Sequence, residues 1–190
     1  MARPRAFEEG RALDAAMRAF WTAGYEGTST RDLCEATGLG RSSVYNTFSS
    51  KHDLFVRALA HYMDERTGRL LDLLDEDGSA KEKLRTLLLQ TADLETGDPV
   101  GCLVVNAMVE MVPRDPVIAA MVERDQRRRL EALRATIEAG MRAGEIDAGR
   151  DATALAHYIV TVVSGMRVAA SGGAGHDTLA GIAETAMTAL

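Results

Sequence analysis

Apolar residues recur along this chain at the spacing of an α-helix face. Leu13, Ala16, Met17, Phe20 and Trp21 fall at i, i+3, i+4, i+7 and i+8, which predicts a first helix ended by Gly24. Thr28-Ser29-Thr30 offers hydroxyls to cap a short second helix, and Gly38 stops it where a left-handed residue is needed. A third short helix is predicted over about 41–48. Ser50-Lys51-His52-Asp53 then opens a fourth, with Leu54, Phe55, Ala58, Leu59 and Tyr62 as its apolar stripe. Ser79-Ala80-Lys81-Glu82 has the S-x-x-E pattern of a capping box and opens a fifth. Asp98-Pro99 and Asp115-Pro116 each set a carboxylate before a proline suited to the first helical position. They predict a sixth helix over about 99–112 and a seventh over about 116–143, closed by Gly144. The eighth, about 151–170, is apolar at Ala152, Leu155, Ile159, Val163, Met166 and Ala170, and also at Tyr158, Val160, Val162 and Val168. A helix apolar nearly all round is expected to be buried on more than one side. Small residues from Ser171 to Gly175 precede a last helix at about 177–189. With no strand alternation and no internal repeat, the expected fold class is all-α with about nine helices.

Composition agrees with that reading. Thirty of the 190 residues are alanine and four are proline, while aromatic content is only 5%. The net charge of −6 argues against a generally basic coat for nucleic acid. The charge is unevenly spread: residues 1–57 carry 8 basic and 7 acidic groups, and residues 58–190 carry 14 and 21. The acidity therefore belongs to the C-terminal part, and a local cationic surface in the first part stays open. Two cysteines, Cys34 and Cys102, are too few for a secreted disulfide framework. No apolar stretch follows the basic N-terminus, and no run approaches 18 apolar residues, so neither a signal peptide nor a membrane span is expected. The expected location is the cytoplasm.

The segment from Thr30 to Tyr45 carries the most specific chemistry. It reads as helix, glycine-containing turn, helix, with a small residue (Cys34) where two helices would touch. Gly38 supplies the turn, and Leu33, Leu39 and Val44 supply apolar pins on both sides of it. The second of these helices offers Arg41, Ser42, Ser43, Tyr45, Asn46 and Thr47, a run of hydrogen-bonding groups. Arginine can reach guanine O6 and N7, asparagine can pair with adenine, and hydroxyls can meet phosphates or base edges. An ordinary structural hairpin would more often present Glu and Lys there.

Residues 7–57 resemble the DNA-binding domain of the tetracycline-repressor (TetR) family of bacterial regulators. The resemblance rests on Phe20-Trp21-Thr22-Ala23-Gly24-Tyr25, on Thr28-Ser29-Thr30-Arg31-Asp32-Leu33, on the run Thr37 to Lys51, and on the pair Leu54-Phe55. Cys34 departs from the family, which usually has alanine there. The resemblance implies a helix-turn-helix domain over 1–57, with its reading helix at about 41–48, and a helical ligand-binding and dimerisation domain over 58–190. It implies a homodimer on a palindromic double-stranded operator, with half-sites about one helical turn apart. It further implies a repressor released by a small-molecule effector. Carried onto this chain, Thr30, Ser42, Tyr45 and Lys51 would hold phosphates. Arg31, Arg41, Ser43 and Asn46 would meet base edges, and Thr47 would lie on the same surface. Arg3 and Arg5 would sit on a flexible arm. The dimer would form through the last two helices, about 151–170 and 177–189, the ninth offering Leu179, Ile182, Ala183, Ala186 and Leu190.

In the C-terminal part, Cys102, Asn106 and Glu110 stand at i, i+4 and i+8, a polar line on a helix otherwise rich in Val and Met. Two readings are open. In one the line is a solvent face or satisfied interhelical network; in the other Asn106 and Glu110 line a ligand cavity. Met108 and Met121, with Met111, Met141 and Met166, supply pliable apolar surface for a core or a pocket. His157 in the apolar eighth helix is a further ligand candidate. Cys102, expected in the first turn of helix six, raises the alternative of a thiol- or electrophile-sensing regulator. An enzyme built on His157 and Glu110 has little support: there is no C-x-x-C, no H-E-x-x-H and no Walker glycine pattern, and the four histidines are scattered. No cofactor and no metal are expected.

Overall fold

The computed structural model describes residues 3–93 and 98–190, with residues 3–8 and 45 described by their backbone. Among the described residues there are nine α-helices and no strand: α1 (Arg3–Gly27), α2 (Thr30–Thr37), α3 (Arg41–Thr47), α4 (Lys51–Asp75), α5 (Ala80–Ala92), α6 (Leu103–Glu110), α7 (Pro116–Arg142), α8 (Ala152–Ser171) and α9 (His176–Met187). The chain divides into two compact units, Met1–Glu65 with Leu103–Val122, and Arg66–Cys102 with Glu123–Leu190. The division expected after residue 57 would fall inside α4 and leave α6 out of the first unit. In the structure α6 packs on α1 and belongs there.

The first unit is built on aromatic residues. Phe20, Phe48 and Phe55 are fully buried with Leu33, Leu54 and Leu59. The Phe55 ring meets Phe20 at 5.0 Å and Tyr25 at 4.9 Å, both edge-on, and Trp21 meets Tyr62 at 4.9 Å. Such pairs add about 0.5–1.5 kcal/mol each beyond area burial. The stripe of α1 lies slightly round from the expected one, with Ala12 buried and Leu13 only half-buried. The backbone of Arg3 and Arg5, expected on a flexible arm, is helical; their side chains lie outside the described ones.

Local signals account for the helix ends. Gly24 breaks α1 with φ 76° and ψ 176°. Ser29 caps α2 in a reciprocal box: its Oγ accepts the Asp32 N–H at 3.2 Å, and Asp32 Oδ2 accepts the Ser29 N–H at 2.7 Å. Gly38 closes α2 in the left-handed region at φ 69°. Ser79 and Glu82 form the second box at the start of α5. Asp115 caps α7 by accepting from the N–H groups of Val117 and Ile118.

Helix six departs from expectation. It starts at Leu103, because Gly101 turns the chain with φ 104° and the Asp98 carboxylate is taken by Arg66 at 2.9 Å instead of capping. Cys102 therefore precedes the helix rather than lying in its first turn.

In the second unit, Leu84 and Leu88 of α5 pack with Leu133 and Ile137 of α7, Leu155, Ile159 and Met166 of α8, and Leu179, Ala183 and Ala186 of α9. Leu179, Ala183, Ala186 and Leu190, expected at a dimer face, are thus part of the subunit's own core. Among the residues that α8 and α9 leave exposed are Tyr158, Thr161, Gly165 and Val168 on one helix and Gly181, Ile182 and Thr185 on the other. The twenty-residue α8 is, by length and a mean hydropathy of 1.3, apolar enough to cross a membrane, against the expectation from run length. Interspersed Thr, Ser and Gly interrupt the apolar run without lowering its mean much. One face of α8 lies in the core of the second unit.

Candidate nucleic-acid interface

Seven residues of α3 form a surface whose two faces are chemically distinct. Val44, together with Phe48 just past the helix, is buried and fixes α3 to the unit. Arg41, Ser42, Ser43 and Asn46 are exposed on the other side, and Thr47 is half-buried. The side chain of Tyr45 lies outside the described ones. A helix this short is held by tertiary packing rather than propensity. Its N-cap is Gly40, with no side-chain cap bond, so the N–H groups of the first turn are not covered by a capping side chain.

The remaining candidates come from the starts of two neighbouring helices. Thr30 opens α2 half-buried, and the side chain of Arg31 is 85% exposed. Arg31 Nε pairs with Glu35 Oε1 at 2.8 Å, one helical turn along. Side-chain and then backbone hydrogen bonds with Ser29 hold the Asp32 carboxyl below the usual carboxylate range, with Arg31 and Lys51 adding to the effect. Lys51 opens α4, and its Nζ lies 4.4 Å from the centroid of the Tyr25 ring. Burial first, then the charges of Glu26 and Asp115, push the Tyr25 phenol above its ordinary value, so the ring stays neutral under the ammonium.

The polar line of α6 ends on the same unit. Asn106 Nδ2 donates to the Trp21 carbonyl at 3.2 Å, and Glu110 Oε2 accepts the Tyr25 N–H at 2.7 Å. Of the two open readings of these residues, the hydrogen bonds to Trp21 and Tyr25 are those of an interhelical network. The backbone of Gly24, at φ 76°, favours glycine, and a Cβ on it would overlap the Glu110 carboxylate and push it aside. Thr28, buried at 1%, donates its hydroxyl to the Gly24 carbonyl at 2.6 Å and ties the same corner.

Sequence reasoning missed a second tie. His52 Nε2 meets Asp115 Oδ2 at 2.5 Å, across 63 positions with no local pattern to mark them. Burial would raise the Asp115 carboxyl, but hydrogen bonds from His52, Ile118 and Val117 outweigh it and hold the group below the usual range. The only sequence signal here was the capping Asp115-Pro116.

The other ligand candidates are dispersed. Met108 is exposed on α6 and Met121 half-buried on α7. Cys102 is half-buried before α6 and Cys34 half-buried on α2, and neither is in a disulfide. His157 lines a groove of about 370 Å³ between α7 and α8, with Leu130 and Ala156 as apolar lining and Glu123, Arg127 and Arg134 among its charged residues.

Residues 12–58 match the family model described as "Bacterial regulatory proteins, tetR family", and residues 80–180 match "Tetracyclin repressor-like, C-terminal domain". The HTH-type transcriptional repressor ComR of Escherichia coli (strain K12) is 31% identical over 188 residues, 97% of this chain and 90% of its own. The HTH-type transcriptional regulator YezE of Bacillus subtilis (strain 168), itself uncharacterized, is 31% identical over 163 residues, 84% of each chain. Among solved structures, a cysteine mutant of the TetR family regulator CifR, complexed with 26-base-pair double-strand operator DNA, is similar with a TM-score of 0.85. It is 32% identical, and the match covers 95% of each chain. Helix-turn-helix geometry, matching models for both parts and full-length similarity to a repressor lead to one conclusion: the chain belongs to the TetR family of bacterial transcriptional regulators.

Proposed function

We propose that this protein is a ligand-responsive transcriptional repressor that binds a palindromic operator as a homodimer in the cytoplasm. The observation that carries the reading is α3: Arg41, Ser42, Ser43 and Asn46 exposed on a helix pinned from behind by Val44 and Phe48. Arg41 and Asn46 have the donor and acceptor patterns that read guanine and adenine in the major groove, with Arg31 and Ser43 beside them. Thr30, Ser42, Tyr45, Thr47 and Lys51 serve as phosphate or backbone contacts that set register. The operator-bound CifR structure, similar over nearly the whole chain, supports the reading of a DNA-binding regulator.

The homodimer forms through the outward faces of α8 and α9, where Tyr158, Val168 and Ile182 are exposed apolar residues beside Gly165 and Gly181. Neither glycine has an atom within 4 Å of where a Cβ would stand, so a second helix could approach closely. The apolar outer side of α8 is then explained by a partner helix. A small effector, taken up by the second unit, releases the operator if it binds the DNA-incompetent state better by a few kcal/mol. The α7–α8 groove at His157 falls in the size range of small-ligand sites. The thiol-sensing alternative is not favoured; what supports the main reading is similarity to repressors, not any feature of the two cysteines.

The test is selection of duplexes from a randomised pool with purified protein, wild type against Arg41→Ala. An enriched palindrome with half-sites about one turn apart, lost in the variant, is the expected result. Absence of enrichment by folded protein, before and after refolding to strip bound effector, would refute the reading.

A further inference from the structure

The segment joining α6 to α7 reaches the reading unit at two points that flank a single contact. At its start, Glu110 Oε2 accepts the Tyr25 N–H at 2.7 Å. At its end, Asp115 divides its two oxygens: Oδ1 caps α7, and Oδ2 meets His52 Nε2. Between them, the ring of Tyr25 lies under Lys51 Nζ at 4.4 Å. Tyr25 is thus held through its backbone, and Lys51 through the residue next to it on α4. Arg114 adds an exposed pair with Glu26 at 3.3 Å. All of these residues belong to one unit.

We propose that Glu110, Asp115 and His52 are positioning residues for DNA binding, acting through the Tyr25–Lys51 pair to hold the Lys51 ammonium where a phosphate will meet it. The inference rests on the reading of Lys51 as a phosphate contact. A lysine has four rotatable bonds, and an exposed one must be ordered when DNA arrives. Lys51 is already half-buried against an aromatic face; Glu110 fixes the backbone of that ring and Asp115, through His52, fixes the start of α4 that carries the lysine, both from residues far along the chain from the helix-turn-helix. Release of either grip leaves the ammonium in place chemically but returns its freedom. Asn106, bonded to the Trp21 carbonyl, holds the α1 end from the same helix and reinforces the first grip.

The experiment measures affinity and salt dependence for a random-sequence duplex of about 30 base pairs, because phosphate contacts act on any sequence. It uses Lys51→Ala, Glu110→Ala, Glu110→Gln and His52→Ala, singly and with Lys51→Ala added, and circular dichroism to verify folding. Lys51→Ala should weaken binding and lower the salt slope by about two ions per dimer. Glu110→Ala and His52→Ala should each weaken binding about tenfold in the dimer, where two lysines are restrained. Neither should weaken it further in the Lys51→Ala background. Glu110→Gln, which keeps an acceptor for the Tyr25 N–H, should restore most of the affinity. If the Glu110 and His52 variants leave affinity unchanged, or add fully to Lys51→Ala, the positioning role is overturned while the phosphate reading stands. If Lys51→Ala itself changes neither affinity nor slope, the phosphate reading fails and the inference falls with it. His52 is half exposed and bonds Asp115, away from the Glu110–Tyr25 bond, so its variant remains informative if Glu110→Ala does not fold.

Discussion

Replacing Gly24 with alanine should damage the fold in a way that depends on Glu110. Two effects are separable. At φ 76° and ψ 176° the backbone occupies a region that is essentially glycine-only, and a side chain there is worth about 1–3 kcal/mol of strain. The added Cβ would also stand 2.2 Å from Glu110 Oε1 and 2.9 Å from its carboxyl carbon, so the carboxylate must swing away. That breaks its bond to the Tyr25 N–H, a charge-assisted hydrogen bond worth about 1.5–3 kcal/mol. Glu110→Ala alone removes only the bond. The two changes share that loss, so the double variant should be hardly less stable than Gly24→Ala, and the single effects should overshoot the double by about 1.5–3 kcal/mol. The assay is urea unfolding followed by far-ultraviolet circular dichroism, at one fixed protein concentration because assembly contributes to stability. Full additivity within about 0.5 kcal/mol would refute the argument that the carboxylate and the glycine share one space.

Three further outcomes follow from the geometry. Glu35→Gln should tighten DNA binding several-fold at low salt, since Arg31 no longer has to leave a partner worth about 0.3–0.5 kcal/mol per subunit, and the gain should fade as salt rises; fluorescence anisotropy showing no change would mean that Arg31 does not engage DNA. The folded-state carboxyl of Asp115 is held down, so its contribution is present above the unfolded value near 3.8 and lost as pH falls through the folded value. Urea midpoints from pH 6 down to pH 3 should therefore drop less steeply for Asp115→Asn than for wild type, and parallel curves would contradict the assignment. Val168→Asp, which places a charge on the outward face of α8, should convert the dimer to monomer in sedimentation without unfolding it, whereas an unchanged dimer would move the interface elsewhere.

Much of the molecule was readable from local chemistry. The hydroxyls at 28–30, the Ser79 capping box, the Asp115 cap, and the glycines at 24, 38 and 144 set helix ends within a few residues. The α3 surface was readable for the same reason: one buried valine and its polar neighbours lie within a single turn or two. Long-range partners were not readable. Asp98-Pro99 has the form of a helix start, yet Arg66 takes the carboxylate and Gly101 redirects the chain, so α6 begins four residues late. The line Asn106–Glu110 carried the correct period, but the period cannot say what a polar stripe faces. Here it faces carbonyl and N–H groups freed by the break at Gly24, some 85 positions earlier. Likewise α9 had the small and apolar residues of an interface, but Leu179, Ala183 and Ala186 are used inside the subunit, and only Ile182 of that set points out.

The placement of α6 in the first unit bears on how such a protein can be recombined. A graft that exchanges DNA specificity by swapping residues 1–57 would import Trp21, Tyr25 and His52 while keeping the host's partners for them at 106, 110 and 115. The carboxylates that fit this chain's Gly24 and His52 would be left behind, and the host's own side chains would stand in their places. The transferable module is discontinuous in sequence, two segments separated by some forty residues, and chimeras that carry 103–122 along with the head should keep the affinity that a single-cut exchange loses.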